Sequence, residues 1–296
     1  MRILITGSNG LLGQKIVKLC LERGINFIAT SKGENRNPDC PTMNYLSLDI
    51  SNPLEINKVF QFYYPTDVIH TAAITNVDYC EDNSDECQLV NVDATHFLLN
   101  AAIQFKSHFQ LLSTDFVFDG EKGDYSENDE VNPLSVYAKS KVDGENLLKN
   151  SSYEDWSIVR TIIVYGEGHN LSRSNIVLWA LDALKTGKEL TIVDDQFRAP
   201  TWADDLAWAC LEIILRDKKG VFHISGPETM SIINLVYRIA DYFDLPKSQV
   251  TPIHSDTLNQ AAKRPPKTGF NLEYSRKELK YSPLTLEKTL ALLKNK

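Results

Sequence analysis

Short segments rich in β-branched residues alternate with segments of helical periodicity through roughly the first 168 residues, and a glycine-rich turn joins the first of each. These observations predict an α/β fold built on a doubly wound parallel sheet, because strands alternating with helices are joined by right-handed crossovers. The regular alternation fades after about residue 168, which predicts a smaller C-terminal lobe. With 296 residues the chain is long enough for one large domain or two fused ones.

The elements follow in order. Residues 2–6 (RILIT) read as a strand that ends at Gly7, and residues 11–24 carry apolar side chains at helical spacing until Gly24 stops them. Strands are expected at NFIAT, YLSLDI, DVIHTAA and HFQLLST, with helices over 53–62 and, as one long helix, over 84–105. A turn-rich stretch over 119–133 precedes a helix over 135–148 and one continuous buried strand, WSIVRTIIVYG. Beyond residue 170, helices are expected over 175–186, 203–216, 232–243 and 284–294, with strands at ELTIV and GVFHI, one of which is free to return to the main sheet.

Composition removes several classes of function. The 31 basic and 39 acidic residues leave a net charge of −8, which repels a nucleic-acid backbone. The five cysteines never stand in a CxxC spacing, so neither a disulfide framework nor a zinc site is indicated, and a reducing, cytoplasmic setting fits best. No stretch approaches the roughly 18 apolar residues of a membrane span, and the apolar run before Gly7 is too short for a secretory leader, so the fold is expected to begin at residue one. The six histidines share no ligand spacing and no GxSxG elbow is present, which disfavours metal and serine-hydrolase chemistry.

Gly7, Gly10 and Gly13 spell GxxGxxG at the first strand-to-helix junction. Missing side chains there let backbone amides and the helix dipole approach a pyrophosphate, as in a Rossmann-type dinucleotide site. Where an NAD-selective site carries an acid at the end of the second strand, this chain has Thr30, Ser31 and Lys32. Lys32 or Arg36 offers a charge for a 2′-phosphate, which points to NADPH, while Glu34 leaves NADH open. Residues 1–168 are therefore expected to form the NAD(P)-binding domain, and 169–296 a substrate lobe interleaved with it.

Tyr137 and Lys141 stand four apart on a predicted helix and so share a face. Free tyrosine titrates near pH 10; a neighbouring ammonium that favours tyrosinate would tune it to exchange a proton with a carbonyl oxygen. Ser113 and Thr114 end a strand at the carboxyl edge of the sheet, where a hydroxyl can orient that carbonyl.

With these residues in view, the sequence resembles the extended short-chain dehydrogenase/reductase superfamily, and within it the dTDP-4-dehydrorhamnose reductase-like branch, nearly from end to end. GSNGLLG is similar to its cofactor turn, HTAAITNVDYCE to its AAxTxVDxxE segment, STDFVFDG to STDYVFDG, and NPLSVYAKSKVDGE to NPLxxYGxSKxxGE. RTIIVYG, DDQFRAPTWADDLA and KRPPKTGFNL are similar to its later signatures. The resemblance implies a catalytic triad of Thr114, Tyr137 and Lys141, with Tyr137 the proton donor and Lys141 also on the nicotinamide ribose. It implies a cofactor site of Gly7, Asn9, Gly10, Leu11, Leu12, Gly13, Ser31, Lys32, Asp49, Ile50, Ala72, Ala73, Ile74 and Asn91. Substrate contacts are expected from Thr75, Val77, Phe116, Asn175, Arg198, Pro200 and Arg264.

Departures narrow the expectation. Members that read Thr-Asp-Glu after the strand are dehydratases; here Phe116 takes the third place, which favours simple reduction. Ile163 stands where reductases carry Trp before VYG, Arg198 takes a glycine position, and Lys15 replaces a first-helix glutamate of metal-linked members, so no structural magnesium is expected. The expected activity is NADPH-dependent reduction of a nucleotide-linked 4-keto-6-deoxy sugar, and a homodimer is left open. Two rivals stay open: a regulatory subunit like that of methionine adenosyltransferase, which resembles the same branch, and an epimerase that retains its cofactor. Lys263, Arg264 and Lys267 beside two prolines offer cations for the substrate's pyrophosphate, with a solvated turn as the plain alternative. The acidic run over 115–130 is expected to be a solvated loop, and Asp78 and Glu81 to be helix caps.

Overall fold

The computed structural model describes residues 1–294. Seven parallel strands form the central sheet, in the order β11-β6-β5-β4-β1-β2-β3. They are β1 (Ile3–Thr6), β2 (Phe27–Ser31), β3 (Tyr45–Ser47), β4 (Asp67–His70), β5 (His108–Thr114), β6 (Trp156–Thr161) and β11 (Gly220–Ile224). The first six follow the 3-2-1-4-5-6 order of dinucleotide-binding sheets, so strand order reverses between β1 and β4, and ligands of such sheets bind outside the carboxyl ends at that crevice. One late strand returns to the main sheet: β11 pairs with β6 in register Phe222↔Val159.

Helices cover both faces. α1 (Leu11–Glu22) lies on one side with α8 (Ala203–Leu215), joined through Ile16, Val17, Leu206 and Cys210 to Ile3 and Ile5 of β1. On the other side α2 (Pro53–Tyr63) and α5 (Ala94–Phe105) bury Ile56, Phe60, Leu98 and Ala102 against Leu4, Val68 and Phe109. Alternate residues of β1 thus serve opposite cores, which is why its burial is continuous rather than alternating.

The expected long helix over 84–105 is interrupted. α3 (Val77–Asp82) and α4 (Ser84–Gln88) precede a π-helical turn over Leu89–Asp93 that runs into α5. The strand expected over 156–166 also breaks: β6 ends at Thr161, Ile163 takes a left-handed φ of 30°, and β7 (Val164–Tyr165) leaves the main sheet to pair with β10 (Thr201–Trp202). A β-branched residue with positive φ is a strained exception, and it occurs beside the cleft described below.

The remaining elements are α6 (Val136–Lys149), α7 (Ile176–Lys185), β8 (Leu190–Val193), β9 (Phe197–Arg198), β12 (Met230–Ser231), α9 (Ile232–Tyr242), β13 (Val250–Ile253), β14 (Lys267–Thr268), α10 (Glu273–Leu279) and α11 (Leu286–Lys294). A separate apolar cluster joins α7, α9 and α11 through Val177, Leu184, Leu235, Ile239 and Leu290. No helix among the described residues is long and apolar enough to cross a membrane, and all five cysteines are free and buried.

Candidate active site

A cavity of about 910 Å³ runs along the carboxyl edge of the sheet. Strand order arranges its lining: Ser31, Lys32, Asp49 and Ile50 follow β2 and β3, the glycine turn follows β1, Ala72 and Ala73 follow β4, and Thr114 ends β5. Thr161, Ile163 and the segment Leu171–Ile176 close the far end.

The glycine turn is shaped by steric need. Gly7 has φ +71°, and a Cβ there would fall 2.7 Å from the Ala72 nitrogen. A Cβ on Gly13 would meet the Gly7 oxygen at 2.4 Å. α1 therefore starts hard against β1 and β4, and its N-cap, Gly10, supplies no side-chain acceptor. Amide donors of the first helical turn, at Leu11, Leu12 and Gly13, are left for an anion in the cleft. Asn9 is buried and supports the turn: its amide nitrogen donates to the Glu34 carbonyl at 2.8 Å, and its Oδ1 accepts from the Arg36 backbone at 2.8 Å. Ser31 accepts from the Asn9 backbone at 3.0 Å.

Lys32, expected to meet a 2′-phosphate, and Asp49, expected at the adenine, pair with each other here, Nζ to Oδ2 at 2.7 Å. The Lys32 ammonium and the Ser51 hydroxyl hold the Asp49 carboxyl down at about 2. Lys32 is 79% exposed, so solvent screens the pair and the ammonium readily exchanges Asp49 for another anion. Arg36 also lines this end and makes no ion pair among the described residues.

At the other end, the Ser135 hydroxyl caps α6 by accepting from the Ala138 backbone at 3.2 Å, which starts the helix one residue before Tyr137. Tyr137 and Lys141 are then one turn apart, and both line the cavity together with Thr114. The Thr114 hydroxyl donates to Asp115 Oδ1 at 3.1 Å and accepts from the Phe116 backbone at 3.2 Å. Burial pushes the Tyr137 phenol well above its ordinary value; the Thr114 hydroxyl and the Arg173 charge pull in the opposite direction and do not overcome it. The sequence-based expectation of a phenol lowered by Lys141 is thereby corrected, because desolvation outweighs every neighbouring charge. Burial also lowers Lys141, to about 8. At neutral pH this site holds a protonated phenol beside an ammonium.

Other expected site residues lie elsewhere. Ile74 and Asn91 are not part of the cavity lining: the Ile74 backbone donates to Asn91 Oδ1 at 2.8 Å, and Asn91 Nδ2 donates to the Ile74 carbonyl and the Ser140 hydroxyl, both at 3.0 Å. Asn91 sits in the π-helical turn and pins the segment after β4 to α6. Arg198 is 2% exposed and not part of the cavity lining; it lies behind Asp115 and Phe116, donating to the carbonyls of Phe197, Pro265 and Pro266 and pairing with Asp115 at 3.6 Å. Arg264 pairs with Asp78, and Pro200 lines a small separate pocket with Tyr165 and Met230. Asp78 is not the cap of α3; Asn76 is, accepting from the Tyr79 backbone at 3.3 Å. Glu81 accepts from the Val136 backbone at 2.8 Å.

Thr75, Val77, Phe116 and Asn175 do line the cavity. Asn175 also caps α7 and donates to the Gly166 carbonyl at 2.8 Å. The acidic stretch over 115–130 is partly built in rather than solvated: Tyr125 stacks on Phe118 at 4.0 Å and its backbone donates to the Gly269 carbonyl at 2.7 Å. Two residues outside the expected set matter here. Arg173 reaches the Thr75 hydroxyl from the segment before α7, which has no periodicity to draw notice. Glu145, inside the SKxxGE motif, anchors α6. Its carboxylate accepts from Ser113 at 2.6 Å and from Arg160 at 2.7 and 2.9 Å. Lys15 pairs with Asp204 at 3.0 Å, and no group of three or more potential metal ligands occurs among the described residues.

Comparison with known proteins gives concordant matches. The family model described as RmlD substrate binding domain matches residues 1–295. A dTDP-4-dehydrorhamnose reductase of Aggregatibacter actinomycetemcomitans is 33% identical over 247 residues, 81% of this chain and 78% of that protein. Methionine adenosyltransferase 2 subunit beta of Danio rerio is 32% identical over 285 residues, 94% and 84% of the two chains. Among solved structures, a dTDP-4-dehydrorhamnose reductase from Clostridium acetobutylicum superposes with a TM-score of 0.84 at 34% identity, covering 99% of this chain and all (100%) of the other. One from Bacillus anthracis, in complex with NADP, gives 0.82 at 25% identity over 98% and 97%. A glycine-cradled cleft on a 3-2-1-4-5-6 sheet, with Tyr137 and Lys141 at its far end, agrees with these matches, and the chain belongs to the RmlD substrate-binding domain family of extended short-chain dehydrogenase/reductase proteins.

Proposed function

We propose that this chain is an NADPH-dependent reductase of the keto group of a nucleotide-linked 4-keto-6-deoxy sugar. The observation that carries the reading is the meeting of Thr114, Tyr137 and Lys141 in one cavity whose other end is the glycine turn. The turn fits a dinucleotide: Gly7 and Gly13 leave no room for a Cβ, and the first turn of α1 has no side-chain cap competing for its amides. Gly7, Asn9, Gly10, Leu11, Leu12 and Gly13 would hold the diphosphate, Asp49 and Ile50 the adenine, and Ala72 and Ala73 the nicotinamide side. Ser31, Lys32 and Arg36 would meet a 2′-phosphate, and the Bacillus anthracis relative solved with NADP favours the same cofactor. In this division residues 1–168 serve the cofactor and 169–296 the sugar nucleotide.

A reduced nicotinamide supplies hydride when bound. The chain's own groups do the rest. The Thr114 hydroxyl orients the substrate carbonyl, and Tyr137, kept protonated by burial, donates its proton to the oxygen as negative charge develops there. The Lys141 ammonium lies one helical turn away, stabilises the phenolate left behind and holds the nicotinamide ribose. Phe116 takes the position of a second acid, so the site has no pair of groups to eliminate water.

Tyr137→Phe tests this. Binding of NADPH, followed by its fluorescence, should persist while turnover on 4-keto-6-deoxy sugar nucleotides falls by about 10²- to 10⁴-fold; turnover at the wild-type rate would overturn the assigned acid. A second reading, a cofactor-binding regulatory subunit, is favoured by the Danio rerio relative. It predicts a stable complex with a methionine adenosyltransferase catalytic subunit and no NADPH oxidation with any keto sugar.

A further inference from the structure

A nucleotide-linked sugar carries a diphosphate, which an acidic protein must meet with a local cation. Of the cations expected to do so, Arg264 is committed to Asp78, and Lys263 and Lys267 do not line the cavity; Arg198, expected as a further substrate contact, is held by Asp115 and three backbone carbonyls. Lys32 and Arg36 lie at the opposite end of the cavity, beyond the glycine turn, and Lys141 is buried beside Tyr137. Arg173 remains. It lines the cavity from the segment leading into α7, is exposed, and donates through Nη2 to the hydroxyl and the carbonyl of Thr75. Both acceptors are neutral, and no carboxylate pairs with it among the described residues. Arg173 and Tyr137 line the same cavity, and the Arg173 charge acts on the phenol. In a 4-keto sugar nucleotide the keto carbon and the diphosphate-bearing carbon lie on opposite sides of one hexose ring, so an acid and a cation lining one cavity can each meet its own group.

We propose that Arg173 is the diphosphate-binding residue of this cleft, exchanging its contact with Thr75 for phosphate oxygens when the substrate enters. This rests on the reading that the cleft takes a sugar nucleotide. A guanidinium suits the task because its planar fork donates two parallel hydrogen bonds to phosphate, whereas the Thr75 hydroxyl satisfies only one donor. Exchange costs little, because it gives up bonds to neutral acceptors for bonds to a charged one.

The test titrates dTDP, UDP, GDP and CDP, each beside its parent nucleoside, into protein saturated with NADP⁺, with calorimetric detection. At least one diphosphate should bind more tightly than its nucleoside. Arg173→Ala should weaken that diphosphate by about tenfold to a hundredfold while leaving the nucleoside and NADP⁺ unchanged. Arg173→Lys should recover part of the loss, since it keeps the charge without the fork. The proposal is overturned if no diphosphate exceeds its nucleoside, or if Arg173→Ala binds the diphosphate as well as the wild type does. An assay of NADPH oxidation separates the two readings. Arg173-dependent diphosphate binding without any reduction would sink the reductase and keep the site; reduction with an unchanged KM in Arg173→Ala would do the reverse.

Discussion

Burial draws the Lys141 ammonium down to about 8, so it is mostly charged at neutral pH and loses its charge as pH rises through that value. If the ammonium stabilises the phenolate formed at Tyr137, kcat/KM should fall along an alkaline limb centred near 8. Lys141→Met should have a low, flat profile there. A wild-type profile with no such limb between about pH 7 and about pH 10 would count against the role. Tyr137 shows what sequence spacing could and could not tell. Four-residue separation places two side chains on one face, which is local geometry. The direction in which the phenol shifts depends on how much water the surrounding fold removes. Arg198 and Arg264 make the same point, because their partners, Asp115 and Asp78, lie 83 and 186 residues away in sequence.

α6 carries Tyr137 and Lys141, to which the proposed chemistry is assigned, and a buried network holds it. Glu145 is fully buried, accepts a bidentate pair from Arg160 of β6 and the Ser113 hydroxyl of β5, and also pairs with Lys149. Burial raises its carboxyl, yet the Arg160 and Lys149 charges more than offset this and hold it at about 2. Glu145→Gln would leave Arg160 without its counter-charge and should cost about 3–5 kcal/mol of stability, measured by urea unfolding at neutral pH. Because the folded value lies below the ordinary 4.5, the contribution is present above about 4.5 and fades as pH falls toward about 2. The penalty of the substitution should shrink over that same window. An unchanged unfolding midpoint at neutral pH would refute the anchoring role. Helices such as α6 were legible because amphipathic spacing and a serine cap are both local signals. The breaks at Leu89–Asp93 and Ile163 were not, since each lies inside an unbroken apolar pattern and answers to contacts with distant segments.

Across the whole molecule, the cavity is bordered by two of the apolar assemblies: β1, α1 and α8 on one side, and the α7, α9 and α11 cluster on the other. A ligand that binds only the folded chain adds RT ln(1 + [L]/Kd), about 2.7 kcal/mol at a hundredfold excess over Kd. Thermal melts with NADPH should therefore rise by several degrees, and by less with NADH at the same concentration. Equal shifts would remove the case for Lys32 and Arg36 as 2′-phosphate contacts. By itself the sequence determined the α/β class, the glycine turn and the shared helix face of Tyr137 and Lys141, because these rest on periodicity, on the absence of a Cβ and on four-residue spacing within a helix. Tertiary structure alone decided which cations face the cleft, that Tyr137 keeps its proton, and that Asn91 and Glu145 work as supports. Those outcomes depend on desolvation and on partners that only the folded chain brings together.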